Sequence, residues 1–94
     1  MKHCILAKWN ETVTDKAALL AQVRALYTAA DAISGVHSVT VHPCCIDRPN
    51  RYNLMIVLDM DRGALPNWDA SDIHHRWKDE YGGLLEQKAI FDYE

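Results

Sequence analysis

No segment of this sequence is suited to a bilayer. The longest uncharged apolar run, such as Leu54 to Leu58, falls far short of the about 20 residues that a helical span requires. Met1-Lys2-His3 leads straight into a strand-like segment with no apolar signal-peptide core, so a cytoplasmic protein with no membrane partner is expected. Positive charge is not in excess either. Ten Lys+Arg against thirteen Asp+Glu give a formal net charge of −3, which offers no general attraction to a phosphate backbone, and no nucleic-acid partner is expected. Cysteine is too sparse for a disulfide framework: Cys4, Cys44 and Cys45 are odd in number, and neighbours on a strand point to opposite faces. With four glycines there is no nucleotide-binding glycine pattern, and Gly-x-Ser-x-Gly, HExxH and CxxC are all absent. No cofactor or metal is expected.

What is present is apolar. Hydrophobic residues make up 49% of 94 residues and charged residues 24%, a folded composition with room for one domain, residues 1 to 94. A chain this short buries only about 60 to 65% of the surface its unfolded form exposes, so a lone subunit is marginal unless something else covers apolar area.

His3 to Trp9 is an apolar run of strand length with large residues on both parities, as a central strand requires. Thr14 as N-cap with Asp15 in the first turn starts a helix. Its stripe, Leu19, Leu20, Val23, Leu26, Tyr27, Ala30 and Ile33, recurs at spacings of three and four, and Gly35 stops it. His37 to His42 alternates strictly, and Pro43 beside it places this second strand at a sheet edge. Cys44 to Arg51 is turn-like, and Tyr52 to Met60 is a third strand, apolar enough to be buried on both faces. Asp61 and Ser71-Asp72 cap two successive helical pieces around Pro66, with Ile73, Trp77 and Tyr81 on one face and Asp72, Arg76 and Glu80 spaced for ion pairs. Gly82-Gly83 ends them, and Lys88 to Tyr93 is a last strand.

The order β-α-β-β-α-β predicts an α+β, ferredoxin-like subunit whose first and third strands are the inner pair. Both helices then lie on one sheet face. Because the inner strands are apolar on both parities, the other face needs a cover, and a second copy of the chain is the cheapest one, making a homodimer.

Chemistry, if any, rests on histidines and aromatics. His74, early in the second helical region and three residues before Trp77, borders the core; imidazole titrates near neutrality and can serve as a general base, with Trp68 and Trp77 flooring an apolar pocket. The bland alternative is a histidine that bonds a nearby carbonyl or Ser71 and closes the helix start. His3 opens the first strand on the face of Ile5, Ala7 and Trp9, and the sequence by itself favours a polar residue at a strand end near the rim over a site residue. Tyr27 lies on the first helix's apolar stripe, either as plain core or as a phenol donating to a substrate oxygen. His75 faces solvent, and Asp59, which interrupts the third strand, is expected to reach solvent or a backbone amide. Cys44-Cys45 lacks the intervening residues that let two thiolates converge on a tetrahedral ion, so a pair of small, semi-buried thiols is expected.

Several stretches together resemble the stress-responsive A/B barrel (Dabb) proteins: Lys2 to Trp9 is similar to their first strand, Ile33-Ser34-Gly35-Val36 to the turn after helix 1, Trp68 to His74 to their aromatic-x-x-His-Pro-x-His segment, and Ile90-Phe91-Asp92-Tyr93 to their final strand. The resemblance covers essentially the whole chain. It implies a dimeric α+β barrel, in which two four-stranded sheets face one another. The family includes stress-associated proteins and a plant olivetolic acid cyclase that closes a linear polyketide by aldol condensation. By that resemblance His74 matches the general base, while His3 and Trp68 match a histidine and an aromatic lining the site. Ser71 and Asp72 stand in place of the segment's first His and its Pro, Trp68 has no hydroxyl where the cyclase has a tyrosine, and Tyr27 falls about one residue from the cyclase's helix-1 tyrosine.

Two function classes follow. One is a lyase or cyclase that uses His74 to take a proton alpha to a carbonyl of a β-keto, polyketide-like substrate, with His3 or Tyr27 donating to the enolate. The other is a non-catalytic stress-response protein that holds a small apolar ligand. A cofactor-free monooxygenase is a weaker enzyme variant and needs a cavity large enough for a quinol or haem.

Overall fold

A computed structural model describes every residue from Met1 to Glu94. The chain forms β1 (Lys2–Trp9), α1 (Lys16–Tyr27), β2 (Val36–Pro43), β3 (Leu54–Met60), α2 (Leu65–Asp69), α3 (Asp72–Arg76) and β4 (Leu85–Tyr93), with short 3₁₀ turns at Ala30–Ala32, Arg62–Ala64 and Gly82–Leu84. The strands make one antiparallel sheet in the order β2-β3-β1-β4. This is the ferredoxin-like α+β arrangement, with β1 and β3 inside and β2 at an edge, where Pro43 costs no ladder hydrogen bond.

Cross-strand register assigns the two faces. His3 opposes Leu58 and Asp92, Ile5 opposes Ile56 and Ile90, and Ala7 opposes Leu54 and Lys88; these residues face the helices. Lys2, Cys4 and Leu6 sit opposite Asp59, Val57 and Met55 on one side and Tyr93, Phe91 and Ala89 on the other, and all of them face away from the helices. The core lies entirely on the helix side, where Val23, Leu26 and Tyr27 of α1 pack with Trp68, Trp77 and Tyr81 over Ile5, Ala7, Ile56 and Leu58. β3 is therefore not buried on both faces: its helix-side residues are buried, while Met55, Val57 and Asp59 are only half-buried. Nothing within the chain covers the far side.

Local differences from the sequence reading have local causes. Asp15 itself is the N-cap of α1, its carboxylate accepting from the Ala18 N–H at 3.0 Å. α1 ends at Tyr27, earlier than the stripe suggests, because the Thr28 hydroxyl donates to the Arg24 carbonyl and the chain then tightens into the 3₁₀ turn. Gly35 adopts φ +85°, a conformation open to glycine at little cost. Asn53 leaves β3: it donates its N–H to the Ala7 carbonyl, and its side chain accepts from the Trp9 N–H at 2.7 Å. Asp59 stays partly exposed to solvent, as expected, and accepts from Lys2 Nζ at 2.9 Å; this bond pushes the Asp59 carboxyl below its usual range and the Lys2 ammonium above its own. Of the expected pairs along the second helical region, only Arg76 with Glu80 forms, at 3.3 Å.

Candidate functional site

The segment from Leu65 to Tyr81 folds in three short pieces, and the breaks aim its side chains. Pro66 occupies the first turn of α2, where its missing N–H is no loss. Ser71 then turns the chain. Its hydroxyl donates to the Trp68 carbonyl at 2.7 Å and accepts from the His74 N–H at 3.1 Å, ending α2 and capping α3 with one side chain. Trp77–Tyr81 forms a π-helical turn rather than more α-helix. The wider turn brings Trp77 and Tyr81, four residues apart, to the same side, where their rings stack at 5.6 Å.

Between these pieces and the helix side of β1 and β4 lies a cavity of about 250 Å³. His3, Ile5, Trp68, His74 and Trp77 line it, with Leu65 and Asp69 from α2 and Lys88, Ile90 and Asp92 from β4. His3, Trp68, His74 and Trp77, far apart in the chain, are thus brought together. The Trp68 ring lies 5.1 Å from His74 and 6.5 Å from His3.

Both imidazoles are held through Nδ1. In His74, Nδ1–H donates to the Asp69 carbonyl at 2.9 Å; a carbonyl only accepts, so Nδ1 keeps the proton and Nε2 is the nitrogen able to take one. In His3, Nδ1 lies 2.5 Å from an Asp92 carboxylate oxygen. His3 is buried, 6% exposed, and not a rim residue; the carboxylate of the edge strand accounts for a polar ring at that depth. His75 is exposed and bonds the Ser71 carbonyl, away from the cavity.

Tyr27 does not line the cavity. It is wholly buried behind it, with Trp68 at 5.7 Å and Trp77 at 5.8 Å. Its hydroxyl has no hydrogen-bond partner, and burial pushes the phenol far above its ordinary range. It is the one wholly buried side-chain polar atom left without a partner.

Asp92, Asp69 and Lys88 are the polar cavity residues that sequence reading missed. Asp92 could have been found: in a sheet of order β2-β3-β1-β4, the helix-side parity of the last strand puts it opposite His3. Asp69 contributes a backbone carbonyl, which no residue pattern announces. Two larger recesses, about 370 and 400 Å³, flank the loop after β2. The first has no histidine, and the second has only the exposed His42, whose ring bonds Thr40. Volume favours them, but two fixed imidazoles favour the smaller cavity.

No family model matches the chain, and no curated protein does. Solved structures do match. A dimeric protein of ferredoxin-like fold from Bacteroides fragilis superposes with a TM-score of 0.81 at 18% identity, covering 99% of this chain and 93% of that one. A Dabb family protein with a ferredoxin-like fold from Mesorhizobium loti gives 0.71 at 14% identity, covering 99% and 93%. The hydroxynitrile lyase from Passiflora edulis gives 0.74 at 13% identity, covering 98% and 89%. The likeness is one of architecture: this chain has the ferredoxin-like α+β fold that these proteins share, Dabb-type fold included.

Proposed function

We propose that the cavity binds a small carbonyl compound and that His74 acts on it as a general base, in a lyase or cyclase reaction on a β-keto substrate. The observation that carries this reading is the convergence of His74 and His3 on one cavity of mixed polar and apolar lining, each with Nδ1 occupied and Nε2 without a partner. Nε2 of His74 takes the proton alpha to the carbonyl, and the electron pair moves onto the carbonyl oxygen. His3, held through Nδ1 by Asp92, is the donor to the developing enolate, through Nε2. Trp68 and Trp77 exclude water and hold the carbon skeleton. That a hydroxynitrile lyase has this fold supports lyase chemistry on it.

The active unit is a homodimer. Cys4, Leu6, Met55, Val57, Ala89, Phe91 and Tyr93 share the uncovered sheet face, with Phe91 64% exposed, and neighbours of this fold are described as dimeric. Burying several such side chains at about 1.5 to 3 kcal/mol each exceeds a modest association cost.

One observation favours a second reading, a non-catalytic binding protein. Trp68 carries no hydroxyl, and that of Tyr27 is sealed behind two indoles, so no neutral hydroxyl donor lines the cavity. At about 250 Å³ the cavity is too small for a haem, so it lends no support to a haem-binding variant of the monooxygenase reading.

The test is solvent deuterium uptake at the α-carbon of a small 1,3-dicarbonyl such as acetylacetone, followed by NMR, with binding read from tryptophan fluorescence. Catalysis predicts that His74→Ala slows exchange by about 10²- to 10⁴-fold while the protein stays folded. Binding without exchange in the wild type would establish the second reading; neither binding nor exchange would overturn both.

A further inference from the structure

Among the charged residues lining the cavity, Lys88 has no task in the proposed reaction. Asp92 holds His3, and the backbone carbonyl of Asp69 holds His74. Lys88 forms no ion pair, and Glu86, the acid two residues before it on β4, is taken by Lys8 at 3.0 Å. Lys88, Ile90 and Asp92 alternate along β4 on the helix side, opposite Ala7, Ile5 and His3, and all three line the cavity. This is not the sheet face left for a second copy, so the cavity stays open in the dimer.

The cavity floor has two unlike ends. His3 and Asp92 face each other at one, Ile5 and Ile90 form the middle, and Lys88 lies beyond them opposite Ala7. At about 3.3 Å per residue, the backbones of Lys88 and Asp92 stand about 13 Å apart along β4, a gap that the flexible four-carbon stem of lysine can shorten. The walls follow the same order. Trp68 lies against His3 and His74, whereas Trp77 lies against Trp9, two residues beyond Ala7 on the same face of β1. Asp69 follows Trp68 directly and bonds His74. Both acidic residues thus belong to the imidazole end, and the ammonium belongs to the other.

From this arrangement we infer that the substrate is an anion, a dicarbonyl compound whose carboxylate is bound by Lys88 while its ketone groups lie between His74 and His3; the inference rests on the carbonyl-binding reading of the cavity. Attraction to Lys88 and repulsion from Asp69 and Asp92 act in the same direction and favour one orientation of the ligand. The carbon chain between carboxylate and ketone lies over Ile5 and Ile90. Lys88 is a binding and orienting residue and takes no part in proton transfer.

The experiment uses the native protein and two probes: 4,6-dioxoheptanoate, a 1,3-diketone with a carboxylate two methylene groups from the nearer ketone, and its uncharged methyl ester. Titration by tryptophan fluorescence should give the acid a Kd lower than that of the ester by about 10-fold, the low end for a hydrogen bond between charged groups, and the gap should narrow as salt is added. Lys88→Met should bring the acid to the affinity of the ester, and Lys88→Arg should restore most of the preference. Lys78→Met, which removes an exposed lysine outside the cavity, should keep it in full. Far-UV circular dichroism checks each fold, and the comparison of acid with ester in the wild type needs no variant. Equal affinity for acid and ester in the wild type, as a lysine that only guards a strand edge would give, overturns the inference, as does a preference that survives Lys88→Met. The general-base reading fails separately. A Lys88-dependent preference without His74-dependent deuterium exchange at the carbon between the ketones keeps the anion subsite and removes the base; exchange without the preference does the reverse. If neither probe binds, both fall.

Discussion

Removing one oxygen atom from Tyr27 should stabilise the protein. The phenol is wholly buried between Trp68 and Trp77, and its hydroxyl has no partner. A buried donor left unsatisfied costs about 1 to 3 kcal/mol, so Tyr27→Phe should recover roughly that amount, since the void left by one oxygen is small. Against a total of about 5 to 14 kcal/mol for a chain of this length, the gain is large, and the midpoint should rise by at least about 4 °C. A second signature appears at alkaline pH. Burial raises the folded-state pKa of Tyr27 above its unfolded value near 10. The folded state then keeps a proton that the unfolded state loses. Stability from this residue is therefore full below about pH 10 and declines above it, by about 1.4 kcal/mol for each pH unit until the folded phenol ionises. Phenylalanine abolishes that slope, while Tyr81, also raised by burial, contributes equally to both proteins. Urea unfolding at pH 7, 9, 10 and 11 reads both effects. Equal or lower stability of Tyr27→Phe at pH 7, or superimposable alkaline limbs, would show that the hydroxyl is not an orphan. Because the hydroxyl lies outside the cavity, the same variant should keep its ligand affinity in the fluorescence assay.

Gly35→Ala should cost about 2 to 5 kcal/mol, combining about 1 to 2 for an L-residue in the left-handed region with about 1 to 3 for overpacking, because the new Cβ would meet Ala64 Cβ at 2.6 Å. Adding Ala64→Gly should return only the overpacking share, and a loss below about 1 kcal/mol in the single variant would contradict the assigned backbone conformation. Phe91→Glu places a charge on the uncovered sheet face, at its β4 edge; if a second copy covers that face, sedimentation at micromolar concentration should show dissociation to monomer or unfolding. A dimer that persists unchanged would locate its interface elsewhere.

Topology was legible because parity and punctuation agree. The apolar β1 and β3 runs fall on the two inner strands, and Pro43 marks the edge. Three of the four cavity aromatics and imidazoles were legible from their crowding between Trp68 and Trp77, since a helical region this short cannot spread them far apart. His3 was harder, because its depth depends on Asp92, a partner 89 residues away. The end of α1 was not legible, since the stripe through Ala30 and Ile33 reads the same whether the backbone stays α-helical or tightens into a 3₁₀ turn. The π-helical turn at Trp77–Tyr81 was hidden for the same reason: a repeat of four fits either geometry, and the stacking of the two rings decides only after folding. The exposure of Cys44 and Cys45 ran against the usual burial of free thiols, because burial statistics carry no information about a loop beyond a strand end.

The alternation of β1 separates the two tasks of this sheet. Odd positions, His3, Ile5, Ala7 and Trp9, go to the helix side, and the first two of them line the cavity; even positions, Cys4 and Leu6, go to the face left open. A shift of one residue would carry His3 out of the cavity and away from Asp92 while driving Lys2 and Lys8 into the core. Register is therefore under two independent constraints. Lys2 meets Asp59 on the open face, and His3 meets Asp92 on the helix face, each an opposite-charge or hydrogen-bonded pair that forms in this register. The partly exposed Lys2–Asp59 pair adds little stability by itself. The effect of the two pairs is on specificity, since each slipped pairing strands a charge or an imidazole that the native register satisfies.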